Sequence, residues 1–557
     1  MKNIDRKLIA DLECSILADG RFDCGEARIL LDAVRPLAAD HAEMAEFAQI
    51  LEGVLEAGKV TAEECRKVAA YLKWLAREEE QAVEEQGLLG RLFKLGRNRT
   101  TVRTEVVAGV TTFMTMAYIL AVNPNLLSMA GIPRGGVFLA TAVAAVVGTL
   151  LMAFLSNYPF VLAPGMGLNA FLTFGVVLGM GYSWQFALLA VFVEGIVFLA
   201  LSLTPVREGI FNSIPLTLKR AVAAGIGLFI CFIALQTAKV IVNNDATLVG
   251  LVSFKNVDFH TQGVTALVAL AGTVLTGFML VKGWKGAILL GIIATWVLGM
   301  LAQATGIYVP NADAGFFSTY PSFTVGDMSN TFREFGATVG ALFNPDGWTH
   351  GKGEAARTGW TLVKSLDFFV VMFAFFFVDL FDTLGTLIGV SMKGGFLTKE
   401  GKLPRISGAL CADAIATSVG AVLGTSTTTT YVESASGVMA GGKTGLTAVT
   451  SAALFALAIL FAPIFLAIPA FATAPALIIV GYMMLSSCAD IDWRDAGEAL
   501  PAFLVIAAMP FTYSISDGIM FGVISYTVIN AFAGNFRRIH WIMYILTALF
   551  VAKYALM

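Results

Sequence analysis

Pro159-Phe160-Val161-Leu162-Ala163-Pro164-Gly165-Met166-Gly167-Leu168-Asn169-Ala170 lies in an apolar stretch of membrane-spanning length, and it breaks the helix that such a stretch should form. Proline removes a backbone donor and clashes with the preceding turn, and glycine adds backbone freedom, so Pro-Gly-x-Gly disfavours a continuous helix. A second interruption, Gly424-Thr425-Ser426-Thr427-Thr428-Thr429-Thr430-Tyr431-Val432-Glu433-Ser434, is a run of β-branched threonines. Each reads as a short extended piece followed by a half-helix. Non-helical backbone at membrane depth persists only where it is buried in protein or lines a cavity. Paired breaks in matching segments of two halves point to a binding site.

The rest of the chain supports a lipid setting. Of 557 residues, 57% are hydrophobic and only 14% charged, with a mean hydropathy of +0.76; soluble domains carry about 25% charged residues. A bilayer crossing needs about 20 apolar residues. Candidate segments lie near 105–127, 136–155, 160–180, 184–204, 214–241, 262–281, 285–305, 366–391, 406–424, 431–441, 445–470, 473–489, 498–513 and 515–533. A last stretch at 539–556 either spans or lies in the interface. The two breaks fall in the third and tenth segments.

Basic residues orient these segments. With the N-terminus inside, the cytoplasmic loops collect Lys219 and Arg220, Lys282 and Lys285, Lys393 and Arg405, Lys443, Arg494, and Arg537 with Arg538. The long 306–365 segment then falls outside and separates two halves of about seven segments each. An odd repeat length forces opposite insertion, which is the inverted-repeat plan of secondary transporters. The expected fold is therefore an all-α polytopic membrane protein, a 7+7 inverted-repeat transporter of about 14 transmembrane segments, with an N-terminal soluble helical domain. The first repeat is placed at 105–305 and the second, with a C-terminal tail, at 366–557. The expected location is a cytoplasmic-type (inner) membrane, multi-pass, with the N-terminal domain in the cytoplasm.

Residues 1–75 are polar and internally repeated: Leu17-Ala18-Asp19-Gly20-Arg21-Phe22-Asp23-Cys24-Gly25-Glu26 aligns with Leu55-Glu56-Ala57-Gly58-Lys59-Val60-Thr61-Ala62-Glu63-Glu64. In each copy a glycine can end one helix, and a capping box, Asp23-x-x-Glu26 or Thr61-x-x-Glu64, can start the next. A soluble helical bundle is expected, similar to TerB-like domains, without implied chemistry. The loops lack the alternating oxygen ligands and distal glutamate of a calcium site. Residues 76–104 read as a charged linker helix. The six cysteines form no CxxC pair, so neither a zinc nor a redox site is indicated. No basic patch points to nucleic acid.

Polar groups converge on the two breaks. Asn169 follows the first and Glu433 opens the half-helix of the second. The eighth segment carries Phe377-Val378-Asp379-Leu380-Phe381-Asp382-Thr383-Leu384-Gly385-Thr386, whose two aspartates, three apart, share one helix face. A carboxylate at mid-membrane costs about 2.5–3.5 kcal/mol, so three of them should face a polar cavity. Asp382 can alternatively brace the other groups. Gly165 and Gly167 are permissive positions for close approach, and Thr429 and Thr430 shape the second break. Glu194 and Asp413 are weaker candidates, as packing or relay groups, and Asp517 is expected to cap the last core helix. No nucleophile–base pair or metal cluster marks an enzyme.

These residues carry a resemblance. Thr111-Thr112-Phe113-Met114-Thr115-Met116-Ala117-Tyr118-Ile119, Ala163-Pro164-Gly165-Met166-Gly167-Leu168-Asn169-Ala170, Val378-Asp379-Leu380-Phe381-Asp382-Thr383 and the threonine run to Glu433-Ser434 resemble the AzgA-like branch of the nucleobase–cation symporters. These are permeases for adenine, guanine and hypoxanthine. The match runs from about residue 95 to the end, and the N-terminal domain departs from the usual architecture. The resemblance implies core and gate domains, with a purine between the third, eighth and tenth segments. It places Asn169, Asp379 and Glu433 at the base, and matches Gly167 and Asp382 to residues important for binding or transport. It implies proton coupling. His41, His260, His350 and His540 all fall outside the spans, so a carboxylate among Asp379, Asp382 and Glu433 would carry the proton.

A purine offers N–H donors and N or O acceptors, which carboxylates and an amide complement. The function expected is import of purine nucleobases by proton symport, with no cofactor; the partners are the purine, protons and the lipid bilayer, and a homodimer is a possible assembly. The alternative is a transporter of another small solute or anion, such as uracil, xanthine or a sulfate-like ion, on the same fold. Three carboxylates argue against an anion.

Overall fold

The computed structural model describes residues 24–35, 42–57, 67–68, 87–202, 215–244, 247–311, 316–321, 325–351, 357–398 and 403–556. The chain forms two compact units, Met1–Thr104 and Glu105–Met557. In the first, helices Cys24–Val34 and Ala42–Ala57 pack together. Leu30, Leu31 and Val34 on one, and Phe47, Leu51 and Val54 on the other, are buried at helical spacing. Arg35 and Glu52 form an exposed ion pair at 3.0 Å. The repeat's Gly20, Asp23, Gly58 and Thr61 lie outside the described residues. Within the charged 76–104 stretch, the described part is a short helix, Leu88–Phe93, ended by Lys94 in the left-handed region (φ 55°), then turns, then the start of the helix Val102–Met116. Its described part is thus not one continuous helix.

The second unit is helical, and ten described helices, from Val102–Ser128, which begins just before the unit boundary, to Ala470–Ala489, are long and apolar enough to cross a membrane. The sequence suggests about 14 crossings, and the difference has a local cause. The third segment is split by its break, so only Met166–Gly179 is helical, and the tenth retains only Ser434–Met439. Ala496–Thr512 and Asp517–Phe532 are apolar but short, and the final stretch forms Trp541–Leu556, 16 residues long.

The described residues hold six short strands, paired in twos: β1 (Leu162–Pro164), β2 (Ile241–Asn244), β3 (Leu248–Leu251), β4 (Thr349–His350), β5 (Arg357–Thr358) and β6 (Thr428–Thr430). β2–β3 and β4–β5 are antiparallel hairpins. The β1–β6 pair is different, because it joins the two interrupted segments.

Two groups of helices surround that pair. In one, Arg134–Ser156 packs on Ile406–Leu423 and Gly445–Ala458, and Trp184–Ser202 packs on Ile406–Leu423 and Leu366–Gly394. In the other, Leu216–Thr237 packs on Ala470–Leu485 and Ala496–Thr512, and Val264–Val281 packs on Ala287–Ala304. Small residues let helices approach closely where lipid supplies no hydrophobic drive. A β-carbon at Gly227 would stand 2.6 Å from the Gly481 carbonyl oxygen, and one at Gly481 would stand 2.4 Å from that of Gly227. Leu216–Thr237 also touches Met166–Ala170 and Leu366–Gly394, so it is the wall between the groups.

The 306–365 segment is not an open loop. Its first part is held by the second group: the Trp296 indole donates to the Thr319 carbonyl at 2.7 Å, and Thr319 donates to Gln303 at 2.6 Å through its hydroxyl. Its later part is held by the first group. The Val325–Thr338 helix accepts the Gly135 N–H on Glu334 at 2.7 Å, and the Gly340 N–H donates to the Val422 carbonyl at 2.8 Å. Asp517 does not cap its helix. Ser514 does, accepting the Asp517 N–H at 3.2 Å, and Asp517 sits in the first turn, where a carboxylate complements the helix dipole.

Candidate functional site

The interrupted segments meet as an antiparallel ladder, Leu162 opposite Thr430, Ala163 opposite Thr429 and Pro164 opposite Thr428. It extends at both ends: the Gly165 N–H donates to the Thr427 carbonyl at 2.9 Å and the Tyr431 N–H to the Val161 carbonyl at 3.0 Å. Both strands are fully buried. The ladder satisfies backbone groups that would otherwise be stranded away from water. Thr149 also donates its hydroxyl to the Leu162 carbonyl, and Thr417 to that of Thr428, at 3.2 and 3.1 Å.

Asn169 leaves β1 on a single helical turn, Met166–Ala170, which continues as the π-helix Phe171–Gly179. π-Helical turns occur frequently at functional sites. Asn169 is fully buried. Its amide nitrogen donates to the Pro164 carbonyl at 3.3 Å, and its carbonyl accepts a short bond from the Ser426 hydroxyl. The Asn169 side chain therefore ties the two breaks together.

Asp379 and Asp382 come from the long helix Leu366–Gly394. Asp379 is fully buried and accepts from the Thr383 hydroxyl at 3.2 Å. Asp382 is partly exposed and faces the first break, since a β-carbon on Gly165 would lie 3.5 Å from its Oδ2. Thr383 also lies 2.8 Å from Asp413 Oδ2 and 2.6 Å from the Thr429 hydroxyl. Asp413 accepts the Thr430 backbone N–H at 3.1 Å. A chain of contacts thus runs from Asp379 through Thr383 to Asp413 and the β6 backbone.

Glu433 stands at the N-cap position of the half-helix Ser434–Met439, without a side-chain capping bond, and is partly exposed. Its Oε1 accepts the Tyr118 hydroxyl at 2.8 Å. The glycines mark close approaches. A β-carbon at Gly165 would stand 2.7 Å from Thr429 Cγ2, and one at Gly167 would stand 2.7 Å from Ile226 Cγ2 on the dividing helix.

The structure brings Asn169, Asp379, Asp382, Glu433, Gly165, Thr429 and Thr430 around one ladder, with Gly167 against its wall. Asp413, expected only as a packing or relay group, belongs to the same cluster, and so do Thr383, Ser426, Tyr431 and Tyr118, which the sequence reading did not single out. Asp413 was readable as a lone carboxylate in an otherwise apolar helix, and the other four carried no such signal. Among the described residues, no group of three or more His, Cys, Asp or Glu is placed to hold a metal ion. A separate cavity of about 1390 Å³ opens between the two helix groups. Arg134, Glu334, Phe317 and Tyr513 line it, and Asn169, Asp379 and Glu433 do not. Phe174, in the π-helix that follows Asn169, is part of its wall.

Residues 103–521 match a protein-family model described as "Permease family". The guanine/hypoxanthine permease PbuO of Bacillus subtilis is 42% identical over 464 residues, covering 82% of this chain and 98% of that protein. The adenine permease AdeP of Escherichia coli is 39% identical over 472 residues, covering 84% of this chain and 96% of that protein. Among solved structures, the transmembrane domain of a cyanobacterium bicarbonate transporter, BicA, superposes with a TM-score of 0.53 at 14% identity. It covers 75% of this chain and 97% of that one, a likeness of fold.

Proposed function

The chain belongs to the permease family that its residues 103–521 match, and from that premise we propose that it imports purine nucleobases by proton symport. Relatives of nearly full coverage are named for guanine, hypoxanthine and adenine. The observation that carries the reading is the convergence of Asn169, Asp379, Asp382 and Glu433 on the β1–β6 ladder. A neutral flat base presents N–H donors and ring acceptors on its edge, and carboxylates with an amide answer both.

In this reading the two helix groups are the core and the gate of a 7+7 inverted repeat. The ladder lies where the repeats meet, and the half-helices after β1 and β6 point polar groups at the base. Segments 1–4 and 8–11 form the core, and the N-terminal unit lies in the cytoplasm. Asp379 is the first choice as proton carrier, with Asp382 one turn away and Glu433 beside the substrate. A neutral purine bound against these carboxylates removes water from them and favours their protonated forms. The loaded, protonated core then crosses the gate more readily than the charged, empty one.

The test is purine uptake into proteoliposomes under an imposed pH gradient, with and without sodium, and with adenine, guanine, hypoxanthine, xanthine and uracil as competitors. Uptake driven by the pH gradient and abolished by an uncoupler is the expected result. Uptake that follows sodium and ignores the uncoupler would overturn proton coupling and leave the purine site standing. The fold shared with BicA favours a second reading, anion transport, because half-helix N-termini also suit anions. Bicarbonate or sulfate uptake without purine uptake would establish it.

A further inference from the structure

The segment that opens the membrane unit contributes no carboxylate to the ladder, yet one of its side chains reaches a carboxylate of the site. Tyr118 lies between helices Val102–Met116 and Ile119–Ser128, and its side chain is fully buried. Its hydroxyl donates to Glu433 Oε1 at 2.8 Å. Two further contacts align the same elements. Thr115 and Ser436 share a hydrogen bond at 2.9 Å, and a β-carbon at Gly437 would stand 2.0 Å from Thr112 Oγ1. Thr112 and Thr115 share a face of Val102–Met116, and Tyr118, in the turn that follows it, continues that side toward the half-helix Ser434–Met439.

We propose that Tyr118 is a positioning residue of the purine site: by occupying Glu433 Oε1 it fixes the carboxylate plane and leaves Oε2 as the acceptor for a base N–H. The inference rests on the purine reading above. A glutamate has three side-chain torsions, and a carboxylate at a partly exposed position is free to turn between solvent and site. A hydrogen bond to a charged group is among the stronger ones available to a side chain. The tyrosine is rigid and wholly enclosed, so its hydroxyl is a fixed point rather than a mobile partner. Thr115 and Gly437 hold the helices together, and Thr115's partner Ser436 donates to the Glu433 backbone carbonyl at 2.7 Å, so neither fixes the Glu433 carboxylate itself.

The geometry makes a specificity claim. A carboxylate held with one oxygen outward recognises an N–H on one edge of the base and rejects a methyl group there. With Glu433 free to rotate, that distinction weakens.

The experiment compares wild type, Tyr118→Phe and Thr115→Val in proteoliposome uptake, with hypoxanthine and adenine and with their singly N-methylated derivatives as competitors. Tyr118→Phe keeps the ring and its packing. The expected result is a roughly tenfold rise in KM with a smaller change in maximal rate, the effect of losing one charge-assisted hydrogen bond. The preference for the unmethylated base over the derivative blocked at the recognised N–H should fall by a similar factor. Thr115→Val should keep the wild-type preference. Wild-type KM and preference in a correctly inserted Tyr118→Phe protein would overturn the inference. So would an equal loss of preference in Thr115→Val, which would assign the effect to packing. Failure of the wild type to transport any purine would instead refute the functional reading on which the inference rests.

Discussion

Tyr431 donates its hydroxyl to the carbonyl oxygen of Pro164 at 2.6 Å, so a residue of the second break closes the backbone of the first. Pro164 ends β1, and the amide of Asn169 reaches the same oxygen at 3.3 Å. Removing the tyrosine hydroxyl leaves a buried carbonyl with the longer, weaker bond. Tyr431→Phe should lower stability by about 0.5–1.5 kcal/mol, the net contribution of one intramolecular hydrogen bond, because the carbonyl keeps the Asn169 amide. Purine KM should rise with it, because Asn169 loses its fixed neighbour. Thermal unfolding in detergent alongside uptake kinetics checks both, and an unchanged melting temperature would contradict the bond's role.

Asp379→Asn and Glu433→Gln should each abolish purine uptake while the proteins still reach the membrane. Asp379 is fully buried against Thr383, and Glu433 against Tyr118 is partly exposed. Asn169→Ala should impair binding less completely, because Ser426 and Pro164 stay in place. Surface labelling of single cysteines confirms insertion. Near-normal uptake by Asp379→Asn or Glu433→Gln would remove that residue from the site.

The crossing of Leu216–Thr237 with Ala470–Leu485 depends on Gly227 and Gly481. Gly227→Ala places a methyl group 2.6 Å from a carbonyl oxygen that belongs to backbone and cannot rotate away. Overpacking of this kind typically costs about 1–3 kcal/mol. The variant should melt earlier than wild type. Gly277→Ala, where nothing lies within 4 Å of the added carbon, is the matched control and should not.

Asp495 caps the helix Ala496–Thr512 by accepting the Gly497 N–H at 3.0 Å, and it pairs with Arg538 at 2.6 Å. The hydrogen bond from Arg538 is the main reason that its carboxyl is held below the usual aspartate range. A depressed folded-state pKa contributes stability above the unfolded value and loses it as pH falls through the folded one. The contribution of this exposed pair is therefore complete at neutral pH and disappears in acid. Melting curves followed down to about pH 3 should converge for wild type and Asp495→Asn. Curves that stay separated by the same interval throughout would show that the charge is irrelevant.

Deleting residues 1–90 should leave purine uptake largely intact. Every residue of the candidate site lies within Glu105–Met557. Loss of uptake in a truncated protein that still inserts correctly would make the N-terminal unit part of the transport machinery.

The breaks were legible because membrane helices tolerate so few interruptions. Pro164-Gly165 and the threonine run stand out against apolar helix, and both became strands followed by half-helices. Asp379 and Glu433 were legible for the cost of their charge. Tyr118, Thr383 and Ser426 were not, because threonine, serine and tyrosine are common on membrane helices and declare a role only through a partner far along the chain. Tyr118 and Glu433 are 315 residues apart, and Ser426 and Asn169 are 257 apart. The docking of 306–365 was hidden for a related reason. A helix such as Val325–Thr338 is amphipathic, and it lacks the long apolar run that marks a crossing.

The ladder also has a history during synthesis. Leu162–Pro164 enters the membrane long before Thr428–Thr430 is made, and until then its strand has no partner strand. For that interval Leu162 is already held by Thr149, but the Val161 carbonyl and the Gly165 N–H lack the partners that Tyr431 and Thr427 supply, where lipid cannot replace them. A chain that ends before β6 should therefore be less stable in the membrane than the full chain, and it gains the missing partners only once the second break, through Tyr431, is in place.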